Sequence, residues 1–458
     1  MSSKYKKILI ANRGEIAVRI NRACHELGIK TVGIYSTGDE GVLHTRLTDD
    51  KICIGSAKGK ESYLNSYNII SAAKAYKVDA IHPGIGYFAE SNDFAELCNN
   101  YDIDFIGPGV DTLKLMGNKI EAKKIAMECN VPIVGENCIE VKTVKDCINY
   151  INKVGLPIIL KATNGGGGKG IRVVHKQGEL EKALEQCKKE AESNFGNDMI
   201  LIEKFVQDVK HVEVQILGDK YGNVICLGER ECSLQRANQK LIEEARCESI
   251  PDDIKAKIYE DSIKISKRIK YYGPGTLEYL YLPDNTYYFI EMNTRLQVEH
   301  PITEMITGVD IVKEQIRISQ GLPLNYKQKD ITFNGYALEC RILAESFDDD
   351  FIPCFGEVTK WFTPGGPGIR VDAGYEVGNK VTPFYDSLLA KICSHGNTKE
   401  EAVTRMLCAL DEIKIVGVKT NIDFHKKILA NPKFLSGEYN TSTIDSIKKM
   451  KSIQRGDE

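Results

Sequence analysis

Phe289-Ile290-Glu291-Met292-Asn293-Thr294-Arg295-Leu296-Gln297-Val298-Glu299-His300 is the stretch on which the reading of this chain turns. In an extended backbone, side chains two residues apart share a face. One face then carries Glu291, Asn293, Arg295, Gln297 and Glu299, and the other carries Met292, Thr294, Leu296 and Val298. Such alternation also occurs on solvated strands. A solvated strand rarely runs carboxylate, amide, guanidinium, amide, carboxylate without a Lys or Ser, so on this stretch alone surface and function are evenly matched.

The segment before it tips the balance. Gly275 to Leu282 is apolar and aromatic except for Glu278, and Pro283-Asp284-Asn285-Thr286 supplies turn residues before Tyr287 to Glu291 returns. A hairpin loop centred between Asp284 and Asn285 sets Glu278 directly opposite Glu291. Two carboxylates so placed repel each other unless a cation lies between them. Mg²⁺ takes hard oxygen ligands, commonly one or two carboxylates plus substrate phosphates, so the pair reads as a metal–nucleotide site. Lys210 to Ile216 also alternates and turns His211, Glu213 and Gln215 to one face, a further wall of the same cleft.

Thr163-Asn164-Gly165-Gly166-Gly167-Gly168-Lys169-Gly170 is the other strong signal. It satisfies G-x-G-x-x-G only as any glycine run would, and the following Ile171-Arg172-Val173-Val174 reads as a strand, whereas a dinucleotide loop opens a helix. It is not a Walker A loop either, because Gly170 stands where Ser or Thr is required after Lys169. What remains is a glycine loop between strands, flanked by Lys161, whose bare N–H groups can close over phosphate oxygens.

Around these segments the chain alternates. Lys7 to Ala11, Thr31 to Tyr35, Asp79 to His82 and Ile103 to Ile106 read as strands, with helices between them, including one ended by Gly28 and one around Asn65 to Tyr76. That order predicts a parallel, doubly wound sheet. A helix containing Lys119 follows, broken at Val131-Pro132. Residues 133–204 form a small unit of their own, long hairpins begin at His211, and an amphipathic helix lies near Glu400 to Ile413.

A length of 458 residues exceeds one compact core and predicts two or three domains. The net charge of −3 gives no electrostatic case for nucleic acid or a membrane surface. No apolar run is long enough to span a bilayer, and the N-terminus leads straight into a strand rather than a secretory segment. Fourteen scattered cysteines without a C-x-x-C pair predict reduced thiols and a cytoplasmic location.

Taken together, Ile10-Ala11-Asn12-Arg13-Gly14-Glu15-Ile16-Ala17, His82-Pro83-Gly84, Leu115-Met116-Gly117-Asn118-Lys119, the glycine run, and EMNTRLQVEHPITEMITG from Glu291 to Gly308 resemble the biotin carboxylases of the ATP-grasp superfamily over nearly the whole chain. The resemblance implies a mixed α/β and α+β molecule. It comprises an N-terminal doubly wound (Rossmann-like) domain at 1–115, an ATP-grasp domain at 116–325 with a small mobile lid at 133–204, and a C-terminal mixed β domain at 326–458. It implies ATP, Mg²⁺ or Mn²⁺, bicarbonate, and biotin on a carrier protein, with carboxyphosphate as intermediate and ADP and phosphate as products.

By the same resemblance, Lys119 and Lys161 neutralise nucleotide phosphates beneath a lid containing Gly165, Gly166, Gly167 and Gly168. Glu203, Lys204, His211 and Gln235 belong to the nucleotide site, the first two largely through their backbone. Glu278, Glu291 and Asn293 belong to the metal site. Lys240, Arg295, Gln297 and the Val298 amide bind bicarbonate, Glu299 is the general base, and Arg341 stabilises the enolate-like form of biotin.

The chain departs from the family at Ile85 for Tyr, Asn238 for His, Leu343 for Asn, Ser346 for Asp and Phe355 for Pro. Arg246-Cys247-Glu248 also replaces a proline-containing stretch. The changes cluster on the acceptor side and point to a divergent member.

An A-M-K-M-like attachment turn is echoed only by Lys449-Met450-Lys451 in a charged tail. The biotin carboxyl carrier protein and the carboxyltransferase are therefore expected as separate polypeptides, and the resemblance implies a homodimer. Acetyl-CoA, other acyl-CoAs and pyruvate all serve as final acceptors of such systems. Two other readings stay open at this point: an ATP-grasp ligase for another acceptor, and a catalytically silent regulatory homologue.

Overall fold

The run Lys7–Ile10 is apolar at successive positions because both of its faces are covered. In the computed structural model, Ile8 and Ile10 pack with Ile16 and Ile20 of the helix Gly14–Glu26. Leu9 packs on the other side with Ile69, Ile81 and Phe94. The structure describes residues 4–135, 139–162, 170–195, 198–236, 239–347, 351–444 and 446–447.

Lys7–Ile10 sits centrally in a five-stranded parallel sheet, with Lys30–Tyr35 then Asp50–Cys53 on one side and Ala80–His82 then Asp104–Phe105 on the other. This is the doubly wound sheet the sequence predicts. Asp50–Cys53 is the strand missing from that reading, because a short, half-exposed edge strand carries little apolar signal.

The loop after Ala80–His82 is tied back by Asn12, whose Nδ2 donates to the carbonyls of Pro83 (2.7 Å) and Ile85 (2.8 Å). Gly84 there has φ +69°, and a Cβ would stand 2.7 Å from Asn12 Nδ2, so only glycine fits.

A four-stranded antiparallel sheet follows, in the order Ile139–Val141, Ile200–Lys204, Ile158–Ala162, Ile171–Val174, backed by the helices Val144–Val154 and Leu180–Phe195. The glycine run of 163–169 lies outside the described residues.

The largest element is an eight-stranded antiparallel sheet. Its order is Tyr287–Asn293, Gly273–Tyr281, Lys210–Gly218, Val224–Arg236, Gln239–Ala245, Tyr336–Leu343, Leu388–Gly396, Ile369–Ala373. It is continuous through Gln239–Ala245 and Tyr336–Leu343, which lie on either side of residues 325 and 326.

The hairpin behind Glu278 reaches the expected pairing by a different route. Leu282 N donates to Thr286 O (2.9 Å) and Asn285 lies at φ +66°, so the loop is centred on Asp284, as in three-residue hairpins ending in a left-handed residue. Near the turn, Tyr281 pairs with Tyr287 and Tyr279 with Phe289. Ile290 is then bulged out of the ladder, and the register beyond it sets Glu278 against Glu291 and Thr276 against Asn293. The bulge restores the pairing that the turn had shifted.

A second difference concerns the polar stripe. The strand ends at Asn293; Thr294 to Val298 are irregular, and Glu299 immediately precedes the helix His300–Thr307, whose first turn contains Pro301.

The N- and C-terminal parts meet closely at Gly374, where a Cβ would lie 2.6–2.7 Å from the backbone of Gly14 and Glu15. Gly374→Ala is expected to lower stability by about 1–3 kcal/mol, read as a lower midpoint in chemical denaturation with an unchanged slope.

Candidate active site

Antiparallel pairing puts four ionisable residues in one lateral row across four strands. Arg230 stands opposite Glu213, Glu213 opposite Glu278, and Glu278 opposite Glu291. Three neighbouring carboxylates on one face repel, so cations must converge on them. Arg230 is wholly buried and donates from Nε to Glu213 (2.5 Å) and from NH1 to Gln215 Oε1 (2.9 Å) and Thr303 Oγ1 (2.8 Å).

Lys240 enters from the start of the next strand, opposite Gln235. Its Nζ lies 2.5 Å from Glu213 Oε2, 3.1 Å from Glu278 Oε1 and 2.8 Å from Glu299 Oε1. Burial works against its charge, but those three carboxylates hold it firmly protonated.

Glu299 has no exposed surface. Its second oxygen accepts from Arg341 NH2 (3.1 Å), and Arg341 Nε also donates to Glu243 Oε1 (2.6 Å). Burial alone would raise the Glu299 carboxyl, yet Lys240, Arg341 and Arg230 hold it well below the usual carboxylate range. Glu299 is therefore ionised throughout the physiological pH range. Glu278 is likewise held low against burial by Lys240 and by His211, whose Nε2 lies 2.9 Å from Glu278 Oε2.

The irregular backbone after Asn293 still gathers the stripe. Arg295 NH1 donates to Gln297 Oε1 (3.0 Å) and NH2 to Asn293 Oδ1 (3.1 Å), while Asn293 Nδ2 donates to Glu278 (2.8 Å). Glu90, from the N-terminal part, accepts from Arg295 Nε (2.8 Å) and from the Thr294 amide (3.0 Å).

In the four-stranded sheet, Lys161 and, from the helix Lys119–Glu128, Lys123 both reach the Glu203 carboxylate, at 2.9 and 2.7 Å. The Glu203 side chain is thereby taken up within the protein. Lys204 Nζ donates to the Leu156 carbonyl (2.9 Å), and Lys119 Nζ lies 3.6 Å from Glu291.

Glu291 is more open than Glu278 (36% against 9% of the side chain exposed), with Lys119 as its ion-pair neighbour. One ionised buried carboxylate and one accessible carboxylate across a strand pair are hard oxygen donors that suit Mg²⁺. Among the described residues, the tightest groupings of potential ligands are instead His211–Glu213–Glu278 and Glu213–Cys232–Glu299, both held together by Lys240.

Sequence reasoning missed Arg230, Lys123, Glu90 and Glu243. Arg230 and Glu243 lie in strands with several charged residues, and nothing local says which charge points inward. Glu90 and Lys123 follow motifs that were recognised, but their partners are 205 and 80 residues away in the chain. Of the divergent positions, Ile85 packs against the apolar core of the N-terminal part, and Leu343 N donates to Asn421 Oδ1 (2.9 Å). Ser346 is buried and accepts from Lys419 Nζ (3.4 Å), while Phe355 is half exposed. Arg246 adopts φ +77°. Asn238 lies outside the described residues.

Three family models match the chain in succession: "Biotin carboxylase, N-terminal domain" at 4–113, "Carbamoyl-phosphate synthase L chain, ATP binding domain" at 118–327, and "Biotin carboxylase C-terminal domain" at 339–446. Biotin carboxylase 1 of Bacillus subtilis is 47% identical over 448 residues, covering 98% of this chain and all of that one. The biotin carboxylase domain dimer of Hydrogenobacter thermophilus 2-oxoglutarate carboxylase was solved with MgADP, ADP and bicarbonate. It superposes with a TM-score of 0.93 at 44% identity, over 96% of this chain and 97% of that one. The Campylobacter jejuni biotin carboxylase, solved as a β-γ-ATP complex, superposes with a TM-score of 0.94 at 40% identity, over 97% and 99%.

Two buried carboxyls titrate in the opposite sense to Glu299. Burial pushes Glu243 up to about 7 despite Arg341, and Glu244, on the other face of the strand, up to about 7 despite Lys399. The native state thus holds protons that the unfolded chain releases near pH 4.3, and each group weakens the fold as pH rises from there to about 7. Glu278 and Glu299 do the reverse, strengthening the fold above about pH 4.3 and losing that contribution on acidification. Glu244→Gln is expected to make the fall in denaturation free energy between pH 5 and 7.5 shallower by up to about 3 kcal/mol. An unchanged pH profile in urea titrations counts against this assignment.

Proposed function

The chain belongs to the biotin carboxylase family, and from that premise we propose that it carboxylates biotin on a carrier protein, using ATP and bicarbonate by way of carboxyphosphate. It is an ATP-dependent ligase. The observation that carries the residue assignment is the Glu299 carboxylate, sealed from solvent with Lys240 on one oxygen and Arg341 on the other.

Bicarbonate is a weak nucleophile that must lose its proton as it attacks the γ-phosphorus. In the proposed sequence Arg295, Gln297, Lys240 and the Val298 amide hold the anion, and Glu299 takes the proton as the new P–O bond forms and ADP leaves. Lys240 then has a fourth anion to serve, its hold on Glu299 weakens, and Glu299 becomes a stronger base when substrate is present.

Carboxyphosphate breaks to CO₂ and phosphate, and the phosphate takes the ureido N–H proton of biotin. Negative charge develops on the ureido oxygen, to which the Arg341 guanidinium is the complementary group. Glu278 and Glu291, with Asn293 beside them, would hold Mg²⁺, which neutralises the charge gathering on the phosphate oxygens. Lys119 and Lys161 add positive charge there. Because the Glu203 side chain is spent on Lys123 and Lys161, Glu203 and Lys204 are left to meet the nucleotide through their backbone, with His211 and Gln235 beside them. The family resemblance assigns Gly165 to Gly168, which lie outside the described residues, to covering the phosphates and excluding water.

The same reading assigns 1–115 to an N-terminal domain, 116–325 to the ATP-grasp domain with its lid at 133–204, and 326–458 to the C-terminal domain. It takes the carrier and carboxyltransferase as separate chains, supported by the match over the whole length of the B. subtilis biotin carboxylase. It takes the active form as a homodimer, supported by the dimeric H. thermophilus relative. A cytoplasmic location is supported by the free thiols of all described cysteines. Among the described residues no helix is long and apolar enough to cross a membrane. The intact set of Glu299, Lys240 and Arg341 argues against a silent homologue.

The test is ADP release with bicarbonate and biotin varied independently. The expected result is dependence on both, and ATP turnover that biotin fails to stimulate would instead favour another acceptor. Glu299→Gln is expected to lower the bicarbonate-dependent rate by about 10²–10⁴-fold while leaving MgATP affinity nearly unchanged in a nucleotide-binding titration.

A further inference from the structure

We infer that His300 is a positioning residue for bicarbonate, aiming the Val298 amide through the Gln297 carbonyl, with Lys391 supporting the next peptide in the same way. The inference rests on the bicarbonate assignment above and extends it to residues that do not touch the anion.

His300 Nδ1 lies 2.8 Å from the Gln297 carbonyl oxygen, which also accepts from the His300 amide (3.3 Å). In a trans peptide the C=O and the following N–H point in opposite directions. Fixing the Gln297 oxygen therefore fixes the direction of the Val298 N–H. One peptide further on, Lys391 Nζ donates to the Val298 oxygen (2.6 Å), which fixes the Glu299 N–H. Lys391 is wholly buried, with Glu15 of the N-terminal helix as its counter-ion at 3.3 Å. Neither the Val298 nor the Glu299 amide donates to any group among the described residues. Both N–H groups are thus held from behind and left without a protein acceptor among the described residues, on the segment that also carries Arg295 and Gln297.

The imidazole has no better reason to be there. It is fully buried, and its Nε2 has no hydrogen-bond partner. Burial together with Lys391, Arg19 and Arg370 holds the ring neutral. A carbonyl can only accept, so the single ring proton sits on Nδ1 and Nε2 is an unsatisfied buried acceptor. An apolar side chain of similar volume would avoid that penalty. What the ring supplies and an apolar residue lacks is the hydrogen bond to Gln297.

The experiment measures KM for bicarbonate and for MgATP separately, by ADP release from the full chain, with thermal unfolding in parallel. His300→Leu is expected to raise KM for bicarbonate about tenfold, the equivalent of one lost orienting hydrogen bond, and to leave KM for MgATP within about twofold. His300→Asn places an amide N–H near the Nδ1 position and is expected to recover most of the loss. His300→Gln reaches toward Nε2 instead and is expected to behave like leucine. If His300→Leu does not fold, the Asn–Gln comparison carries the same test. An unchanged bicarbonate KM in His300→Leu overturns the proposal, as does a rise of both KM values together. Equal behaviour of the Asn and Gln variants also overturns it. A wild-type chain without bicarbonate-dependent ADP release would overturn the functional reading itself, and this proposal with it.

Discussion

One buried ammonium group holds the site together. Lys240 Nζ is shared among Glu213, Glu278 and Glu299, which come from three separate segments of the chain. Arg230 neutralises Glu213 from behind, and Arg341 takes the far side of Glu299. Removing the ammonium would leave three carboxylates buried with too little positive charge, and an uncompensated buried charge is strongly destabilising. A well-packed apolar replacement of the whole cluster would often be as stable or more so. The network is therefore better understood as chemistry retained in spite of stability. It keeps the Glu299 carboxylate ionised and sealed from solvent.

That arrangement requires a rigid frame, and the eight-stranded sheet supplies it. Arg230, Glu213, Glu278 and Glu291 form a row because four strands stand in register, and Glu243 and Arg341 come from the two strands after them. The ATP-grasp and C-terminal parts thus share one hydrogen-bonded sheet. The N-terminal part reaches the site differently, through side chains: Glu90 to Arg295 and Thr294, and Glu15 to Lys391. Glu90 and Lys391 thereby hold the irregular loop between Asn293 and His300 in place without its being a strand.

Parts of this were legible locally. Apolar runs flanked by helices identify the parallel sheet, because burial on both faces leaves a continuous apolar signature. Sequence spacing also brings Glu278 and Glu291 together, although the actual turn is one position off and the bulge at Ile290 makes up the difference. The stripe of alternating polar residues was a sound guide to which residues converge and a poor guide to backbone shape, since strand geometry ends at Asn293. Pattern identifies which side chains share a task, whereas bulges and irregular loops decide how the backbone delivers them.

The sequence by itself determined the family and the reaction class, because those rest on short motifs whose residue types the chemistry demands. Only the tertiary structure decided how the charges of the site are balanced. Lys240 and Arg341 sharing Glu299, Lys123 and Lys161 claiming the Glu203 side chain, and His300 and Lys391 holding the Gln297 and Val298 carbonyls all involve solvent exclusion or partners from separate elements. Electrostatic energies depend on distance and burial, and neither quantity is written in the order of residues along the chain.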